Sequence, residues 1–200
     1  MAKGYVIYNP LAGNGTAEED AELLQMVFDE NLECYDMTRI TNYAAFLSGL
    51  EKDDYLMIVG GDGTLNRFVN DTSGMEIPQE IFYYPSGSGN DFAREMDTSG
   101  NPFEITQYLK NLPSVEVKGK TYHFINGVGF GIDGYCCQVG DELKKIPGKK
   151  VNYAGIAIQG LLFHFAARNA KVTVDGEEYV YKKVWIAPTM YGRYYGGGMI

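Results

Sequence analysis

The chain has 200 residues, of which 45% are hydrophobic and 22% charged, and its net charge is −9. This is the composition of a globular protein with one large domain or one and a half ordinary ones. The acidity argues against a nucleic-acid partner bound by a broad basic face and against non-specific adhesion to anionic membranes. A small anionic ligand remains compatible with it, because backbone N–H groups bind phosphate without lysine.

The cysteines and the apolar segments indicate a cytoplasmic protein. Cys34, Cys136 and Cys137 are odd in number and contain no CxxC pair, which is typical of reduced thiols. The N-terminus lacks the apolar core of a signal peptide. The most apolar stretch, residues 151–167, is interrupted by polar side chains and is shorter than the ~20 residues that a membrane span needs.

The first half of the chain alternates apolar runs with segments of helical periodicity. We predict strands in GYVIYN (4–9), ECYDMT (33–38), DYLMIV (54–59) and EIFYYP (80–85). We predict helices in TAEEDAELLQMVFDEN (16–31), TNYAAFLSGL (41–50), GTLNRFVND (63–71) and NDFAREM (90–96). Strands that alternate with helices predict right-handed crossovers and a parallel sheet covered on both faces.

The pattern changes near residue 114. The segment 114–132 is predicted to form two strands joined by a tight turn, and 133–145 and 151–169 are predicted to be helical. Residues 170–190 are predicted to form a hairpin about Asp175–Gly176, a strong turn dipeptide. We therefore predict an α/β domain of residues 1–112 followed by a partial β-rich domain of residues 113–200.

Glycine-rich loops follow three of the predicted strands: NPLAGNG (9–15), GGDGT (60–64) and PSGSGND (85–91). Ligands of α/β proteins bind beyond the carboxyl ends of the strands. If the three strands are neighbours, the loops form one rim whose N–H groups can bind a phosphate chain. The alternative for each loop is an ordinary tight turn between strand and helix.

Asp62 stands among the glycines of the second loop. A carboxylate beside phosphate is repelled unless a metal ion lies between them or the carboxylate meets an acceptor hydroxyl, and both arrangements occur in phosphoryl transfer. The alternative is that Asp62 caps the helix that opens at Gly63. The phosphate-binding P-loop motif is absent, and GFGIDG (129–134) lacks the context of a dinucleotide fingerprint.

The motifs VGGDGTLNRFVND and YPSGSGNDFAR together resemble the catalytic domain of the diacylglycerol kinase and sphingosine kinase family. IYNPLAGNG, FINGVGFGIDGYCCQ and GRYYGGGM are similar to further segments of that family. The resemblance implies a two-domain lipid kinase fold, with a Rossmann-like parallel-sheet α/β domain and then a β-sandwich, of which part is present. It also implies phosphorylation of a lipid hydroxyl, diacylglycerol-like or related, with ATP and Mg²⁺.

The resemblance also assigns roles to individual residues. Asp62 would activate the acceptor hydroxyl, Asp91 would organise metal and phosphates, and Asp133 would meet the lipid head group; it assigns no metal ligand set and gives Arg193 little weight. The residues that it implies for nucleotide binding are Asn9, Gly13, Gly60, Gly61, Gly63, Thr64, Gly87, Ser88, Gly89 and Asn90.

The chain departs from the family pattern in its first loop and in its length. Ala12 and Asn14 stand where relatives often carry a serine and a basic residue, and the acidic residues 18–20 follow. Relatives continue further, so the resemblance implies that their C-terminal third, with a metal-binding glutamate, is missing here. A sheet edge left open predicts a homodimer or aggregation. The basic run 144–150 is interpreted first as a solvated loop, and the alternative is transient contact with lipid head groups at a membrane surface.

Two other functions stay open at this point. GGDGT is shared with NAD kinases, so an NAD-kinase-like enzyme is the first alternative, against which GSGNDFAR argues. The second is a truncated nucleotide-binding module without turnover.

Overall fold

The computed structural model describes residues 2–28, 31–98, 100–146 and 149–200. The chain divides into two compact units, one formed by the described residues of 1–126 with 191–200 and the other by 127–190. Compactness does not by itself define an independently folding domain, so the domains 1–112 and 113–200 stay a prediction. Pro147 and Gly148, in the basic run 144–150, lie outside the described residues.

The first unit is built on a five-stranded sheet in the order β2-β1-β3-β4-β5. Its strands are β1 Gly4–Tyr8, β2 Leu32–Asp36, β3 Tyr55–Gly60, β4 Glu80–Pro85 and β5 Phe103–Glu104. Its helices are α1 Ala17–Phe28, α2 Tyr43–Ser48, α3 Asp62–Asp71 and α4 Asp91–Glu95. The first four strands run parallel and β5 is antiparallel. The predicted α/β fold with a parallel sheet is confirmed.

Both faces of this sheet are buried, which explains why its strands are runs of apolar residues. Side chains alternate along each strand, so Ile7 and Ile58 join one core cluster while Val6 and Val59 join the other. The first cluster includes residues of α2, α3 and α4, and the second includes residues of α1. The helices thereby fix the loops that enter and leave the carboxyl ends of the strands.

A hairpin of β6 Ser114–Val117 and β7 Lys120–His123 also belongs to the first unit. The side chain of Asn70, on α3, donates from Nδ2 to the His123 carbonyl and accepts at Oδ1 from the His123 N–H, both at 2.9 Å. An amide side chain thus takes the place of a neighbouring strand and fixes β7 to α3. The two strands expected in 114–132 are this hairpin, and a third strand follows it.

The second unit contains that third strand and the remaining elements. They are β8 Gly127–Gly131, α5 Ile132–Lys144, α6 Tyr153–Gln159, β9 Arg168–Val174, β10 Glu177–Val184 and β11 Ile186–Met190. β8 pairs with β11 and β9 with β10, each as an antiparallel ladder of two strands. Two-stranded ladders form only part of a sandwich, so the second domain is partial.

Two expectations for the second unit can be compared with the structure. The predicted hairpin is confirmed, and its turn residues Asp175 and Gly176 have φ of 51° and 86°, as a type I′ turn requires. The helix expected over 151–169 is shorter: α6 is α-helical to Gln159 and continues as a π-helical turn, Gly160–His164.

Two further properties concern membrane-spanning helices and cysteines. Among the described residues, no helix combines the length and the apolar character needed to cross a bilayer. The three cysteines are free thiols in this structure.

Candidate functional site

The three glycine-rich loops lie together because β1, β3 and β4 are neighbours in the sheet. The Asn9 N–H donates to the Val59 carbonyl at 3.3 Å, and the Ser86 N–H donates to the Gly60 carbonyl at 3.0 Å. The strand order reverses between β1 and β3, which is where open α/β sheets bind ligands. The predicted rim of three loops is therefore present in the first unit.

The glycines of the rim are required by close approach of the loops. A Cβ placed on Gly87 would lie 2.4 Å from the Cα of Gly61, and one on Gly13 would lie 2.4 Å from the Ser86 carbonyl oxygen. A Cβ on Gly63, in contrast, meets nothing within 4 Å. Gly63 therefore faces open space, whereas Gly13 and Gly87 allow the loops to approach each other because they lack a Cβ.

Asn90 and Asn9 use their side chains to shape these loops. Asn90 has φ of 51°, and its side chain accepts from the Gly87 N–H at 3.0 Å and donates to the Gly87 carbonyl at 2.8 Å. Asn9 donates from Nδ2 to the Thr64 hydroxyl at 3.2 Å and accepts from the Leu11 N–H. Both side chains thus stabilise the conformation of the loops through hydrogen bonds within the rim. Ser88, in the third loop, is exposed.

Asp62 is the first residue of α3, and its carboxylate accepts three hydrogen bonds. Oδ1 accepts from the Phe92 N–H at 2.8 Å and from Asn126 Nδ2 at 3.0 Å, while Oδ2 accepts from the Asp91 N–H at 3.0 Å. The N-cap of α3 is Gly61. The alternative that Asp62 caps its own helix is therefore wrong. Its carboxylate instead joins the start of α3 to the start of α4.

Asp91 is 7% exposed, and its carboxylate is only partly satisfied. Oδ2 accepts from the Gly197 N–H at 3.0 Å, whereas Oδ1 is buried and has no hydrogen-bond partner among the described residues. A buried carboxylate oxygen without a partner is costly, so a cation or donor that reaches Oδ1 is favoured there.

The buried Asp91 Oδ1, which has no partner among the described residues, is an oxygen of the kind that Mg²⁺ takes as a ligand. Mg²⁺ commonly takes one or two protein carboxylates and completes its shell with phosphate oxygens and water. In the part of the chain that the structure describes, no three His, Cys, Asp or Glu side chains are grouped to hold a metal on their own.

The segment 191–200 is anchored beside this site through Glu95, a residue that the sequence motifs do not mark. The Glu95 carboxylate accepts from the backbone N–H of Arg193 and from its Nε, each at 2.9 Å. The backbone N–H of Arg193 and then its guanidinium hold the pKa of Glu95 below its usual range. Arg193 therefore has a definite partner, although the family resemblance assigns its role little weight.

An acidic cluster lies at the start of α1. The Tyr8 hydroxyl donates to Glu18 Oε1 at 3.1 Å. Burial raises the pKa of Asp20, an effect that the nearby Ser86 side chain opposes and that Glu19 reinforces. Asp20 lies near Ser86 of the loop after β4, so its charge would oppose a phosphate bound there.

Asp133 lies in the second unit, in the first turn of α5. Its side chain packs against Gly129 of β8, since a Cβ on Gly129 would lie 2.7 Å from Asp133 Oδ2. Burial raises the pKa of its carboxyl. Its role toward the acceptor stays a prediction.

Most of the predicted site residues thus come together on the first unit. The ones joined by hydrogen bonds or by close approach are Asn9, Gly13, Gly60, Gly61, Asp62, Thr64, Gly87, Gly89, Asn90 and Asp91, with Gly89 next to Asp62 Oδ2. Asn126, which contacts Asp62, was not predicted, because no local pattern marks a residue that acts across 64 positions of sequence.

Comparison with known proteins agrees with this arrangement. The family model described as "Diacylglycerol kinase catalytic domain" matches residues 3–118. YtlR of Bacillus subtilis (strain 168), named "Putative lipid kinase", is 25% identical over 164 residues, which cover 72% of this chain and 52% of that protein. SH2167 of Staphylococcus haemolyticus (strain JCSC1435) carries the same description and is 30% identical over 112 residues, covering 54% of this chain and 36% of its own.

A solved structure shares the fold. The crystal structure of a diacylglycerol kinase from Bacillus anthracis str. Sterne has a TM-score of 0.57 and 24% identity, and the match covers 99% of this chain and 67% of that one. The chain spans about half the length or less of the two curated relatives above. The family model covers more than half of the chain, so the protein belongs to the lipid kinase family defined by the diacylglycerol kinase catalytic domain.

Proposed function

We propose that this chain supplies the nucleotide-binding side of a lipid kinase that transfers a phosphoryl group from ATP to a lipid hydroxyl, diacylglycerol-like or related. The observation that supports it is the Asp62 carboxylate, which three donors hold beside the glycine loops after β1, β3 and β4. A Cβ on Gly89 would lie 3.7 Å from Asp62 Oδ2, so this oxygen faces the loop proposed to hold phosphate.

The nucleotide is proposed to lie along the rim. Backbone N–H groups of the loops and the N-terminus of α3 would bind its phosphates, since both present partial positive charge. The open space over Gly63 and the exposed Ser88 mark where the ligand would approach. When Mg²⁺ is bound, it neutralises charge on the phosphates, and Asp91, whose Oδ1 has no partner among the described residues, is the protein group that would hold it.

Asp62 is proposed as the group that takes the proton of the acceptor. The lipid oxygen bonds to the γ-phosphorus, the bond from that phosphorus to the bridging oxygen breaks, and ADP leaves with the electron pair. The hydroxyl proton passes to Asp62, and a positioned base of this kind contributes about 10²–10⁴-fold. Asp133 would bind the lipid head group, and transient contact with a membrane surface would deliver it.

The test compares Asp62→Asn with Asp71→Asn at the other end of α3. Asp71 is exposed and forms an ion pair with the exposed Arg67, and it makes no hydrogen bond to the rim in the part of the chain that the structure describes, so its replacement should leave the site intact. ATP with Mg²⁺ should raise the melting temperature of the wild-type chain, and phosphorylation should be measured with diacylglycerol vesicles and with NAD. We expect phosphorylation of the lipid by wild type and Asp71→Asn, and a loss of at least about 100-fold in Asp62→Asn.

Three outcomes would contradict the proposal. Full turnover by Asp62→Asn would remove Asp62 from the chemistry. Phosphorylation of NAD in place of lipid would favour the NAD-kinase-like alternative. Stabilisation by ATP without any turnover would favour a nucleotide-binding module.

A further inference from the structure

The hydrogen bonds to Asp62 are distributed unequally between its two oxygens. Oδ1 accepts from Phe92 N–H and Asn126 Nδ2, whereas Oδ2 accepts from Asp91 N–H alone. Each carboxylate oxygen has two lone-pair positions. Oδ1 is therefore fully used by the protein, and one position on Oδ2, the oxygen that faces Gly89, is left for a ligand.

Asn126 is itself held firmly by its backbone. Its carbonyl accepts from the Tyr191 N–H at 2.8 Å and from the Gly192 N–H at 3.0 Å. Three residues earlier, His123 is fixed to α3 by Asn70. Helix α3 thus holds the segment 123–126 at two points, through Asn70 near its end and through Asp62 at its start.

Asn126 also lies at the point where the chain passes from the first unit to the second. It immediately precedes the second unit, and Tyr191, which donates to its carbonyl, immediately follows that unit. One covalent connection to the second unit therefore leaves the first unit at Asn126, which contacts Asp62, and the other returns to it at Tyr191, which donates to Asn126.

We infer that Asn126 is a positioning residue: its amide fills the last acceptor position of Asp62 Oδ1 and so directs the reactive lone pair of Oδ2 toward the substrate. The inference rests on the proposed function for what Asp62 then does, while the contact itself can be tested without turnover. Donors that are already in place cost no reorganisation when the reaction occurs, which is how such groups contribute to rate.

The activity test uses Asn126→Ala, Asn126→Asp and the control Asn70→Ala. Alanine removes the donor, and aspartate keeps the shape but places a second carboxylate against Asp62. We expect kcat to fall about 10- to 100-fold in Asn126→Ala and further in Asn126→Asp, with KM for ATP nearly unchanged. Asn70→Ala removes the other attachment of the segment and should lower stability while leaving kcat nearly unchanged.

A second readout does not depend on turnover. The stability of Asn126→Asp relative to wild type and to Asn126→Ala is measured by urea unfolding from pH 8 to pH 4. Repulsion between two carboxylates should make Asn126→Asp the least stable at pH 8, and protonation of the pair should reduce that deficit as the pH falls. Asn126→Ala should show no comparable dependence.

The results separate the two ideas. If Asn126→Asp is as stable as wild type at every pH, or if it retains more activity than Asn126→Ala, the amide only fills space and the inference is wrong. If no variant and no wild type turns over while the pH-dependent deficit of Asn126→Asp is present, Asn126 holds Asp62 but the kinase proposal fails.

Discussion

Gly63 and Gly87 belong to the same rim but differ in what surrounds them, so alanine should separate binding from folding. Gly63→Ala adds a methyl group in open space within a helix and should stabilise the fold by about 0.5 kcal/mol. The same methyl group should obstruct the phosphates and weaken binding of ATP with Mg²⁺ about tenfold. Gly87→Ala places its Cβ against Gly61 and should cost about 1–3 kcal/mol.

Urea unfolding measures the first effect of each variant, and the rise in melting temperature with ATP measures the second. Wild-type affinity in Gly63→Ala would show that no phosphate lies over this residue. Destabilisation of Gly63→Ala would show that its surroundings are closed.

Tyr83 is fully buried under the second loop, and its hydroxyl donates to the Gly60 carbonyl at 3.0 Å. Burial, and then the charge of Asp62, raise the pKa of its phenol, so it stays a donor over the whole physiological range. Tyr83→Phe should therefore cost about 1 kcal/mol of unfolding free energy at both pH 6 and pH 9.

The matched control for Tyr83 is Tyr84→Phe on the same strand, whose hydroxyl makes no hydrogen bond within the described ranges and which should be nearly neutral. A cost that appears only at one pH, or an equal cost in both variants, would mean that the contact with Gly60 is not what stabilises this loop.

At the residue scale, the sequence identified the groups of the rim but not their connections. Asp62 and Asp91 were predicted because they follow glycines at strand ends, where function concentrates. That Asp62 accepts from the start of α4 and from Asn126 depends on contacts over 29, 30 and 64 positions. Periodicity and turn signals describe neighbours in sequence, so such contacts lie beyond them.

At the element scale, the start of α1 is expected to carry a cost in charge. Burial raises the pKa of Asp20 from its usual 3.8, so its stabilising contribution is complete below about pH 3.8 and is lost as the pH rises through the folded value. Asp20→Asn should therefore be more stable than wild type at pH 7, by less than about 1 kcal/mol, and equal to it near pH 3.

The same substitution should strengthen binding of ATP with Mg²⁺, because a like charge beside the loop after β4 is removed. Glu22→Gln, an exposed acid on the same helix, is the control and should change neither property much. A loss of stability in Asp20→Asn at pH 7 would indicate that favourable interactions of the ionised carboxylate outweigh the cost of its burial.

Elements were predictable where the apolar pattern was long. The four parallel strands and helices α1 and α3 follow from buried runs and helical spacing that tertiary packing reinforces. The end of α6 was not predictable, because Gly160–His164 continues the apolar periodicity while its backbone adopts a π-helical turn. A change of hydrogen-bond register leaves little trace in side-chain pattern.

At the scale of the whole molecule, the chain returns after the second unit to the first, and Glu95 fixes that return. Its lowered pKa means that it stabilises the fold above about pH 4.5 and loses that effect as the pH falls through its folded value. Glu95→Ala should therefore speed amide hydrogen exchange in residues 191–198 at pH 7, most of all at Arg193.

Hydrogen exchange measured by mass spectrometry checks this, with the exposed Glu104→Gln as the control. Wild-type exchange rates in Glu95→Ala would mean that the bond from Gly197 to Asp91 is sufficient to hold the segment. The strand order of the sheet, in contrast, was not predicted. The sequence analysis only assumed that the three strands with glycine-rich loops are neighbours, because a sequence shows which strands carry such loops but not which strands pair.

The grip on Asp62 has a consequence for how this site tolerates change. Two of its three donors are main-chain N–H groups, at positions 91 and 92, which every amino acid except proline supplies. Replacement of Phe92 by another apolar residue thus keeps the hydrogen bond to the Asp62 carboxylate. Replacement by proline removes the N–H and with it that hydrogen bond. In a large library of variants, position 92 should therefore accept many apolar residues and exclude proline.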